Sequence, residues 1–462
     1  MKAKSRAGMH TSNPDTQALR EAIFEYTRER MSYDPVPLDA PMTLERLRFL
    51  APNTVNEDGL GGHKALRMFT EVLAPACLST DHPGYLSFIP TAPTEAATLF
   101  DLVVSASSIY GGSWMEGSGA VFAENEVLAW LAREAGLPES AGGVFVQGGT
   151  IGNLSALVAA RHAAKARRLA SGQALPASWK FVCSAEAHSS LKAAASVMDV
   201  EIVKAEVDQD GRLTGAAVEA ALKSAGDGVF AIVATAGTTN FGIVDRILEV
   251  GEVAKRESIW FHVDGAYGLA AMLAPKTRAL FEGTQLADSF IVDPHKWLFA
   301  PFDACALVYR DPSLAQAAHT QHGEYLDTLT DSGDWNPSDY AFNLTRRVRG
   351  LPLWFSLATH GIAAYRAAIE ENIDLAHRIA AEIRRRPNLS LVREPELSVV
   401  VFEHEGWGLD EYKRWSDHLL ESGLGLVVPS SHNGTPNTRF AIVNPQTTYE
   451  LLVELLDSME TL

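Results

Sequence analysis

Short apolar stretches and longer helical stretches alternate through the middle of the chain. The apolar stretches are rich in valine, isoleucine, alanine and phenylalanine, and the segments between several of them have the spacing of an amphipathic helix. Strands that alternate with helices are typical of a mostly parallel sheet covered on both faces. The pattern therefore predicts an α/β fold with strands at residues 144–147, 181–184, 201–207, 229–236, 259–263, 289–292 and 304–308.

The two ends of the chain carry different patterns. Apolar residues at 16–30 follow a helical stripe, which predicts an N-terminal helical arm, and a further helix is predicted at 64–73. A long helical region at 353–385 is followed by shorter strands and two more helices, which is typical of a small α+β domain. The late strands are predicted at 389–392, 398–402 and 440–443. We therefore predict an arm at 1–75, a large domain at 76–350 and a small C-terminal α+β domain at 351–462.

Composition excludes several classes of protein. The 57 acidic residues outnumber the 39 basic ones, and the formal charge of -18 disfavours binding to nucleic acid. The sequence has no apolar run long enough to span a bilayer, so we expect no membrane partner. Met1 to Arg6 are basic, but no apolar signal segment follows them, and we predict a cytoplasmic protein.

The cysteines do not suggest a structural framework. Cys77, Cys183 and Cys305 are odd in number and far apart, and they form no CxxC pair. Neither a disulfide network nor a zinc site is indicated by such spacing. We predict no metal.

Lys296 follows directly on the predicted strand at 289–292, in the segment Asp-Pro-His-Lys-Trp. A lysine at the end of a buried strand is neutral, paired or used covalently, because a buried charge is costly. Schiff-base chemistry needs an amine of this kind, since desolvation lowers its pKa and frees its lone pair. The alternative is a surface lysine just beyond a strand.

An aspartate, Asp264, closes the preceding apolar strand in His-Val-Asp-Gly-Ala-Tyr. If its carboxylate reaches a pyridine nitrogen, the nitrogen stays protonated and the ring withdraws electrons from a carbanion. The alternative is an aspartate that caps the next turn. Ligands of open α/β sheets bind at the carboxyl ends of strands, where Asp264 and Lys296 are both predicted to lie.

Two turns and one histidine could complete such a site. Gly148, Gly149 and Thr150 form a glycine turn between a strand and a helix, where backbone N–H groups can hold a phosphate. The turn at 236–239 places hydroxyl groups after another strand. His188 opens a helix, where its ring could stack on a planar cofactor and relay protons. Each also has a purely structural reading, as a tight turn or as a histidine bonded to neighbouring hydroxyls.

Several ordered segments carry a resemblance to a known family. They read Ala187-His188-Ser189-Ser190, Ala236-Gly237-Thr238-Thr239, His262-Val263-Asp264-Gly265-Ala266-Tyr267, Ala287-Asp288-Ser289-Phe290 and Pro294-His295-Lys296-Trp297. The chain resembles the group II pyridoxal-phosphate (PLP)-dependent amino acid decarboxylases, and in particular their aromatic-L-amino-acid decarboxylase branch. The resemblance runs from about residue 82 to residue 349, with a weaker echo at Arg439.

The resemblance implies a PLP fold-type I (aspartate aminotransferase-like) large domain and a homodimer with the active site at the subunit interface. It implies that Lys296 binds PLP, that Asp264 pairs with the pyridine nitrogen and that His188 stacks over the ring. The other positions implied around the cofactor are Ala266 under the ring, Gly149, Thr150 and His295 near the phosphate, and Thr239 near Asp264.

The resemblance also implies a catalytic tyrosine in a mobile loop. Tyr325 is our candidate and Tyr340 is the alternative. The basic cluster that follows this loop in the family matches Arg346, Arg347 and Arg349.

The chain departs from the family pattern at two places. Asp293 stands where the family commonly has asparagine, which adds a carboxylate near Lys296. Thr94-Glu95-Ala96 stands where aromatic-substrate members commonly have Ser-Tyr-Pro, and Glu95 could instead lie beside a charged substrate.

The predicted reaction is α-decarboxylation of an L-amino acid, aromatic by preference, to the amine and carbon dioxide. The alternatives within PLP chemistry are an aldehyde synthase, which is an oxidative decarboxylase-deaminase, and a decarboxylase of an acidic or diamino acid. The alternative from another class is a nucleotide-binding dehydrogenase, although the glycine spacing is wrong for one.

Overall fold

The computed structural model describes residues 8–10, 12–321, 334–432 and 434–461. Three helices near the N-terminus are α1 (Pro14–Met31), α2 (Leu44–Leu50) and α3 (Gly62–Met68). Helix α1 begins after Asn13, whose Oδ1 accepts a hydrogen bond from the backbone N–H of Thr16. No residue of α1 is buried, so this helix contributes little to the core of the described chain.

A seven-stranded sheet forms the centre of the molecule, in the order β1-β7-β6-β5-β4-β2-β3. Strand β7 pairs antiparallel with both β1 and β6, and all other pairs are parallel. The carboxyl ends of β1, β4, β5 and β6 therefore lie at one edge of the sheet. The strands are β1 (Gly142–Val146), β2 (Lys180–Ser184), β3 (Glu201–Ala205), β4 (Val229–Thr235), β5 (Trp260–Asp264), β6 (Ser289–Val292) and β7 (Cys305–Tyr309).

Both faces of this sheet are buried. Val144 and Val146 pack into one hydrophobic cluster, whereas Phe145 between them packs into another, because successive side chains of a strand point to opposite faces. The helices that accompany the sheet are α4 (Glu95–Ser107), α5 (Trp114–Glu134), α6 (Gly149–Ala170), α7 (Ser189–Met198), α8 (Gly215–Ala225), α9 (Ile247–Glu257), α10 (Pro294–Trp297) and α11 (Pro312–His319).

A four-stranded antiparallel sheet, in the order β10-β11-β9-β8, follows later in the chain. Phe402, Trp415 and Phe440 are fully buried in its core. Its strands are β8 (Leu389–Leu391), β9 (Val399–His404), β10 (Pro429–His432) and β11 (Thr435–Ala441), and the helices of this region are α12 (Leu351–Arg385), α13 (Leu409–Glu421) and α14 (Tyr449–Ser458).

The predicted fold class is confirmed: the large sheet is mostly parallel, helices cover it, and a small antiparallel sheet is separate from it. The boundaries at residues 75 and 350 stay predictions. In the part of the chain that the structure describes, no helix combines the length and the apolar character that crossing a bilayer would need.

Three local predictions were wrong. The last strand spans Thr435–Ala441 rather than 440–443, and it pairs with β10, which was not predicted because its residues are Pro-Ser-Ser-His. Helix α12 is broken at Gly361, whose φ of 77° lies in the left-handed region that a glycine adopts without strain. The helix predicted at 64–73 ends at Met68 and continues as a π-helical turn, Phe69–Leu73.

Candidate active site

Three of the predicted site residues, Gly149, Asp264 and Lys296, lie at the carboxyl edge of the large sheet. Asp264 is the last residue of β5, and Lys296 lies in the single-turn helix α10 that follows β6. Gly149 begins α6, which follows β1. Because β1, β5 and β6 point the same way, segments far apart in sequence meet at this edge.

Lys296 is paired with a buried carboxylate. Its Nζ lies 3.0 Å from Oδ2 of Asp293, whose side chain is only 2% exposed. Burial disfavours the charged amine, but the negative charges of Asp293 and Asp264 outweigh it, and the pKa of Lys296 is raised. The expectation that the pKa of Lys296 lies below its ordinary value was therefore wrong, because sequence alone did not reveal that the charges of Asp293 and Asp264 both act on this amine.

The glycine turn forms a cradle at the start of α6. The backbone N–H of Gly149 donates a hydrogen bond to Asp293 Oδ2 at 3.3 Å. A Cβ atom at Gly149 would lie 3.1 Å from that oxygen and 3.2 Å from Cβ of Ala266, so a side chain would crowd the turn. The N-terminus of a long helix favours an anion, and here a carboxylate oxygen accepts the N–H.

Asp264 is held by two hydrogen bonds. Its Oδ1 accepts from the backbone N–H of Ala266 at 3.2 Å, and its Oδ2 accepts from the side-chain amide of Asn153 at 2.8 Å. Asp264 is 4% exposed, and Asn153 is 1% exposed. The carboxylate is therefore oriented by partners that can only donate to it.

A chain of buried side chains extends from Asn153 away from Asp264. Because the amide nitrogen of Asn153 donates to the carboxylate, its Oδ1 must accept, and Nε2 of His262 donates to it at 2.8 Å. His262 Nδ1 then accepts from the hydroxyl of Ser289 at 2.8 Å, and that hydroxyl accepts from the indole of Trp260. Burial lowers the pKa of His262 to about 4, so its ring is neutral near pH 7.

His188 caps helix α7 on the exposed side of the site. Its Nδ1 lies 3.2 Å from the backbone nitrogen and 3.0 Å from the hydroxyl of Ser190. The same hydroxyl accepts a hydrogen bond from Asn153, so Ser190 connects His188 to the partners of Asp264. The predicted contact of His188 with a neighbouring hydroxyl is therefore present. The same hydroxyl bonds to Asn153, so His188 also lies close to the site.

His295 stands beside the cradle. Its Nε2 lies 3.8 Å from Asp293 Oδ2, and its Nδ1 lies 2.7 Å from the carbonyl oxygen of Ala304. Burial lowers the pKa of His295. A Cβ at Gly148 would lie 3.7 Å from the His295 ring, so the imidazole and the glycine turn are neighbours.

Ala266, Thr150 and Thr239 each lie a few residues beyond the carboxyl end of a strand, which is β5, β1 and β4 respectively. Ala266 accepts a hydrogen bond from the backbone N–H of Asp293 at 3.0 Å, and Thr150 is in the first turn of α6. Thr239 follows β4, and its carbonyl oxygen accepts a hydrogen bond from Arg439. Arg439 also donates to the carbonyl oxygen of Phe88 at 3.1 Å, which places Phe88 close to Thr239.

Of the two tyrosine candidates, the structure describes Tyr340. Tyr325 lies outside the described residues. Tyr340 is 4% exposed and stacks on Trp335 with ring centroids 4.1 Å apart. Burial raises the pKa of Tyr340 to about 12, which is the environment of a core tyrosine.

The arginines of the basic cluster at 346–349 all form ion pairs. Arg346 is buried and makes a bidentate pair with Glu124, at 2.8 and 3.0 Å. Arg347 pairs with Asp101, and Arg349 pairs with Asp303. No cluster of His, Cys, Asp or Glu side chains suited to a metal occurs among the residues that the structure describes.

Asn153 is the functional residue that sequence reasoning missed. It is the one amide side chain in the alanine-rich helix α6, and it lies one turn beyond Gly149. A polar residue among alanines, so close to the glycine turn, was the sequence feature that could have indicated its role. His262 was quoted as part of a motif, but its role in orienting Asn153 depends on contacts that only the structure reveals.

A family model and several known proteins match this chain. The model of the pyridoxal-dependent decarboxylase conserved domain matches residues 45–405. The aromatic-L-amino-acid decarboxylase of Bacillus atrophaeus is 28% identical over 92% of this chain and 90% of its own length. That of Sus scrofa is 31% identical over 86% of this chain and 85% of its own length. The L-2,4-diaminobutyrate decarboxylase of Rhizobium meliloti is 28% identical over 87% of this chain and 82% of its own length.

Solved structures show the same fold. Oryza sativa TDC, crystallised with PLP and tryptamine, has a TM-score of 0.89 at 23% identity and covers 98% of this chain and 99% of its own. Mouse CSAD has a TM-score of 0.87 at 23% identity and covers 97% of this chain and 99% of its own.

Proposed function

Because this chain belongs to the family of pyridoxal-dependent decarboxylases, we propose that it removes the α-carboxylate of an L-amino acid, aromatic by preference, giving the amine and carbon dioxide. The enzyme is a PLP-dependent carboxy-lyase. The observation that carries the proposal is the convergence of Lys296, Asp264 and the Gly149 turn at one edge of the sheet.

The residues present fit PLP. Its phosphate needs backbone donors without a side chain in the way, and the turn at Gly149 offers an N–H where a Cβ would be crowded. Its aldehyde needs an amine, which Lys296 supplies, and its pyridine nitrogen needs an acidic partner, which Asp264 supplies. When bound, the cofactor supplies a protonated ring that stabilises the negative charge left on Cα after carbon dioxide departs.

The protein residues have distinct roles in this proposal. Asp264, oriented by Asn153, holds a proton on the ring nitrogen. The imidazole of His188 covers the ring, and because its Nδ1 is engaged by Ser190, Nε2 is the nitrogen that can return a proton to Cα. Tyr325 is the other proposed donor. Gly149, Thr150 and His295 hold the phosphate, with Ala266 and Thr239 beside the ring.

Two exposed phenyl rings support the preference for an aromatic substrate. Phe302 is 53% exposed, and its ring lies 5.2 Å from the ring of His295. Phe88 is 58% exposed, and its carbonyl oxygen is bonded to the same Arg439 that reaches Thr239. Aromatic rings beside the cofactor residues would contact an aromatic side chain favourably.

Glu95 gives little support to an acidic or diamino substrate. It begins α4 and lines a cavity of about 660 Å³ together with Arg30, Thr94 and His360. The residues that line this cavity do not include Lys296, Asp264 or His188. Because the chain is similar to diaminobutyrate decarboxylases, the panel of amino acids tested below includes diamino acids.

We also propose that the chain forms a homodimer with the active site at the subunit interface. Leu99, Leu102 and Val103 make an exposed apolar stripe on α4, and Met115 and Phe122 are exposed on α5. Exposed apolar side chains of this kind support an interaction site. Leu102→Asp should shift the sedimentation coefficient to that of a monomer, whereas Val197→Asp, at an exposed position on α7, should not.

We also propose that the protein is cytoplasmic.

The reaction is tested by a panel of L-amino acids with PLP-loaded protein, in which carbon dioxide, amine, ammonia and oxygen are measured together. Equal amounts of amine and carbon dioxide without oxygen uptake support decarboxylation. Oxygen uptake with ammonia release would instead indicate an aldehyde synthase. Lys296→Ala should abolish both the visible absorbance of the bound cofactor and turnover, while Lys276→Ala, at an exposed lysine, should change neither.

A further inference from the structure

The carboxylate of Asp293 already occupies the anion position of the cradle. Its Oδ2 accepts the N–H of Gly149 at the start of α6, 3.3 Å away, and also lies 3.0 Å from Nζ of Lys296. Its Oδ1 is buried, and no nitrogen or oxygen donor among the described residues bonds to it; the one further donor at this carboxylate is the weak thiol of Cys305. A buried carboxylate oxygen without a strong donor is costly, so this arrangement favours the uptake of a proton.

The groups that face Asp293 provide little positive charge. From α10 come Lys296, which is cationic, and His295, whose pKa is lowered by burial. From β7 comes the thiol of Cys305, whose pKa is raised well above its ordinary value by burial, by the charge of Asp293 and by a hydrogen bond to the Asp293 side chain. Asp264 at the end of β5 adds a second carboxylate. The site is therefore already rich in negative charge before a phosphate enters.

A phosphate ester is a dianion above about pH 7, because its second pKa is near 6. Placing that dianion beside the Asp293 carboxylate brings like charges together in a poorly solvated site. Such pairs bind a proton rather than remain fully ionised.

We propose that Asp293 is a positioning residue whose carboxylate holds the cradle and Lys296 in place until a phosphate group arrives, and that binding of the phosphate group takes up one proton. The proton comes from solvent and is held between the Asp293 carboxyl group and the phosphate. Asp293 thereby changes from an acceptor of the Gly149 N–H to a hydrogen-bond donor, and Lys296 is released from its ion pair. This inference rests on the phosphate cradle proposed above.

The experiment uses pyridoxine 5′-phosphate, which has the phosphate ester but no aldehyde and so forms no covalent bond with Lys296. Its binding is measured by titration calorimetry at pH 8 in two buffers of different ionisation enthalpy, which gives the number of protons taken up. Wild-type protein should take up about one proton more than Asp293→Asn, and between pH 7 and 9 its affinity should fall by up to about tenfold per pH unit relative to the variant. Equal uptake by the two proteins would overturn the proposal.

Several controls keep the outcome interpretable. Asp303→Asn makes the same change in charge at a half-exposed residue near the site, and it should behave as wild type in proton uptake. If Asp293→Asn fails to fold, wild-type protein still tests the proposal, because pyridoxine without phosphate should not produce the additional uptake.

Gly149→Val tests the cradle itself. If this variant binds pyridoxine 5′-phosphate as tightly as wild type, the cradle is wrongly assigned; if it binds weakly but uptake is unaffected by Asp293→Asn, only the role of Asp293 is wrong.

Discussion

The side-chain amide of Asn153 lies 2.8 Å from Oδ2 of Asp264, and both side chains are almost completely buried. The amide cannot turn around without presenting its oxygen to the carboxylate and its nitrogen to the N–H of His262. Asn153 therefore orients the Asp264 carboxylate, and His262 in turn determines the orientation of the Asn153 amide.

Removing this amide should weaken cofactor binding. In Asn153→Leu the carboxylate loses a donor, and a hydrogen bond to a charged group contributes about 1.5–3 kcal/mol. We expect the dissociation constant of PLP, followed by visible absorbance, to rise roughly tenfold or more. Ser190→Ala is the comparison variant: it removes the second acceptor of the same amide and the hydroxyl contact to His188 Nδ1, but it leaves the bond to Asp264 and the backbone N–H that bonds to His188. Unchanged PLP affinity in Asn153→Leu would contradict the role given to Asn153.

Acidification should destabilise the folded protein through His262. Burial lowers its pKa to about 4, whereas a histidine in an unfolded chain titrates near 6.5. Between these values the unfolded chain binds a proton that the folded chain does not. Stability is therefore lost as the pH falls from about 6.5 to about 4, by up to about 3 kcal/mol.

The His262 prediction is checked against His262→Asn, which lacks this titration. Free energies of unfolding from urea denaturation should converge between the two proteins as the pH falls. Asp245, whose pKa is raised to about 7 by burial, titrates with the opposite sign, but it is present in both proteins and cancels in the difference. Parallel profiles would show that His262 does not titrate as expected.

The pair between Glu124 and Arg346 should be important for stability. Both side chains are at most 3% exposed, and Glu124 also accepts the backbone N–H of Gly350 at 2.8 Å. Glu124→Gln leaves a buried guanidinium without its counter-charge, which typically costs about 3–5 kcal/mol. Thermal and urea unfolding measure the loss.

Asp101→Asn is the control for that measurement, because it breaks the half-exposed pair with Arg347. Its expected cost is below about 1 kcal/mol, since solvent screens the charges. Equal costs at the two positions would mean that burial does not determine the strength of these pairs.

Substrate preference should depend on Phe302. If its exposed ring contacts an aromatic substrate, Phe302→Ala should raise KM for that substrate roughly two- to tenfold with little change in kcat, as expected for lost ring contacts worth about 0.5–1.5 kcal/mol. Leu409→Ala, at an equally exposed residue on α13, should change neither constant. An effect confined to kcat would instead place Phe302 in the chemical step.

The sequence was informative where an apolar strand ends in a polar residue. Asp264 and Lys296 could be located because each follows a run of buried residues, and parallel strands bring such positions to one edge. The bounds of β6 agree with the predicted 289–292, because its apolar character is clear.

Other features depend on contacts that periodicity does not report. The pairing of Asn153 with Asp264 joins a helix to a strand more than a hundred positions away, and no local pattern encodes it. The proximity of Asp293 to the N–H of Gly149 likewise depends on how β1 and β6 are placed. Strand β10 lacks an apolar pattern, so only its pairing with β11 defines it.

Strand β7 also has a consequence for biosynthesis. It lies between β1 and β6, and these two strands carry the glycine turn and the lysine to the same edge. A nascent chain that has emerged only as far as β6 contains Gly149, Asp264 and Lys296, yet it lacks the strand that holds β1 beside β6. We therefore expect the growing polypeptide to capture its cofactor only after Tyr309, the last residue of β7, has left the ribosome.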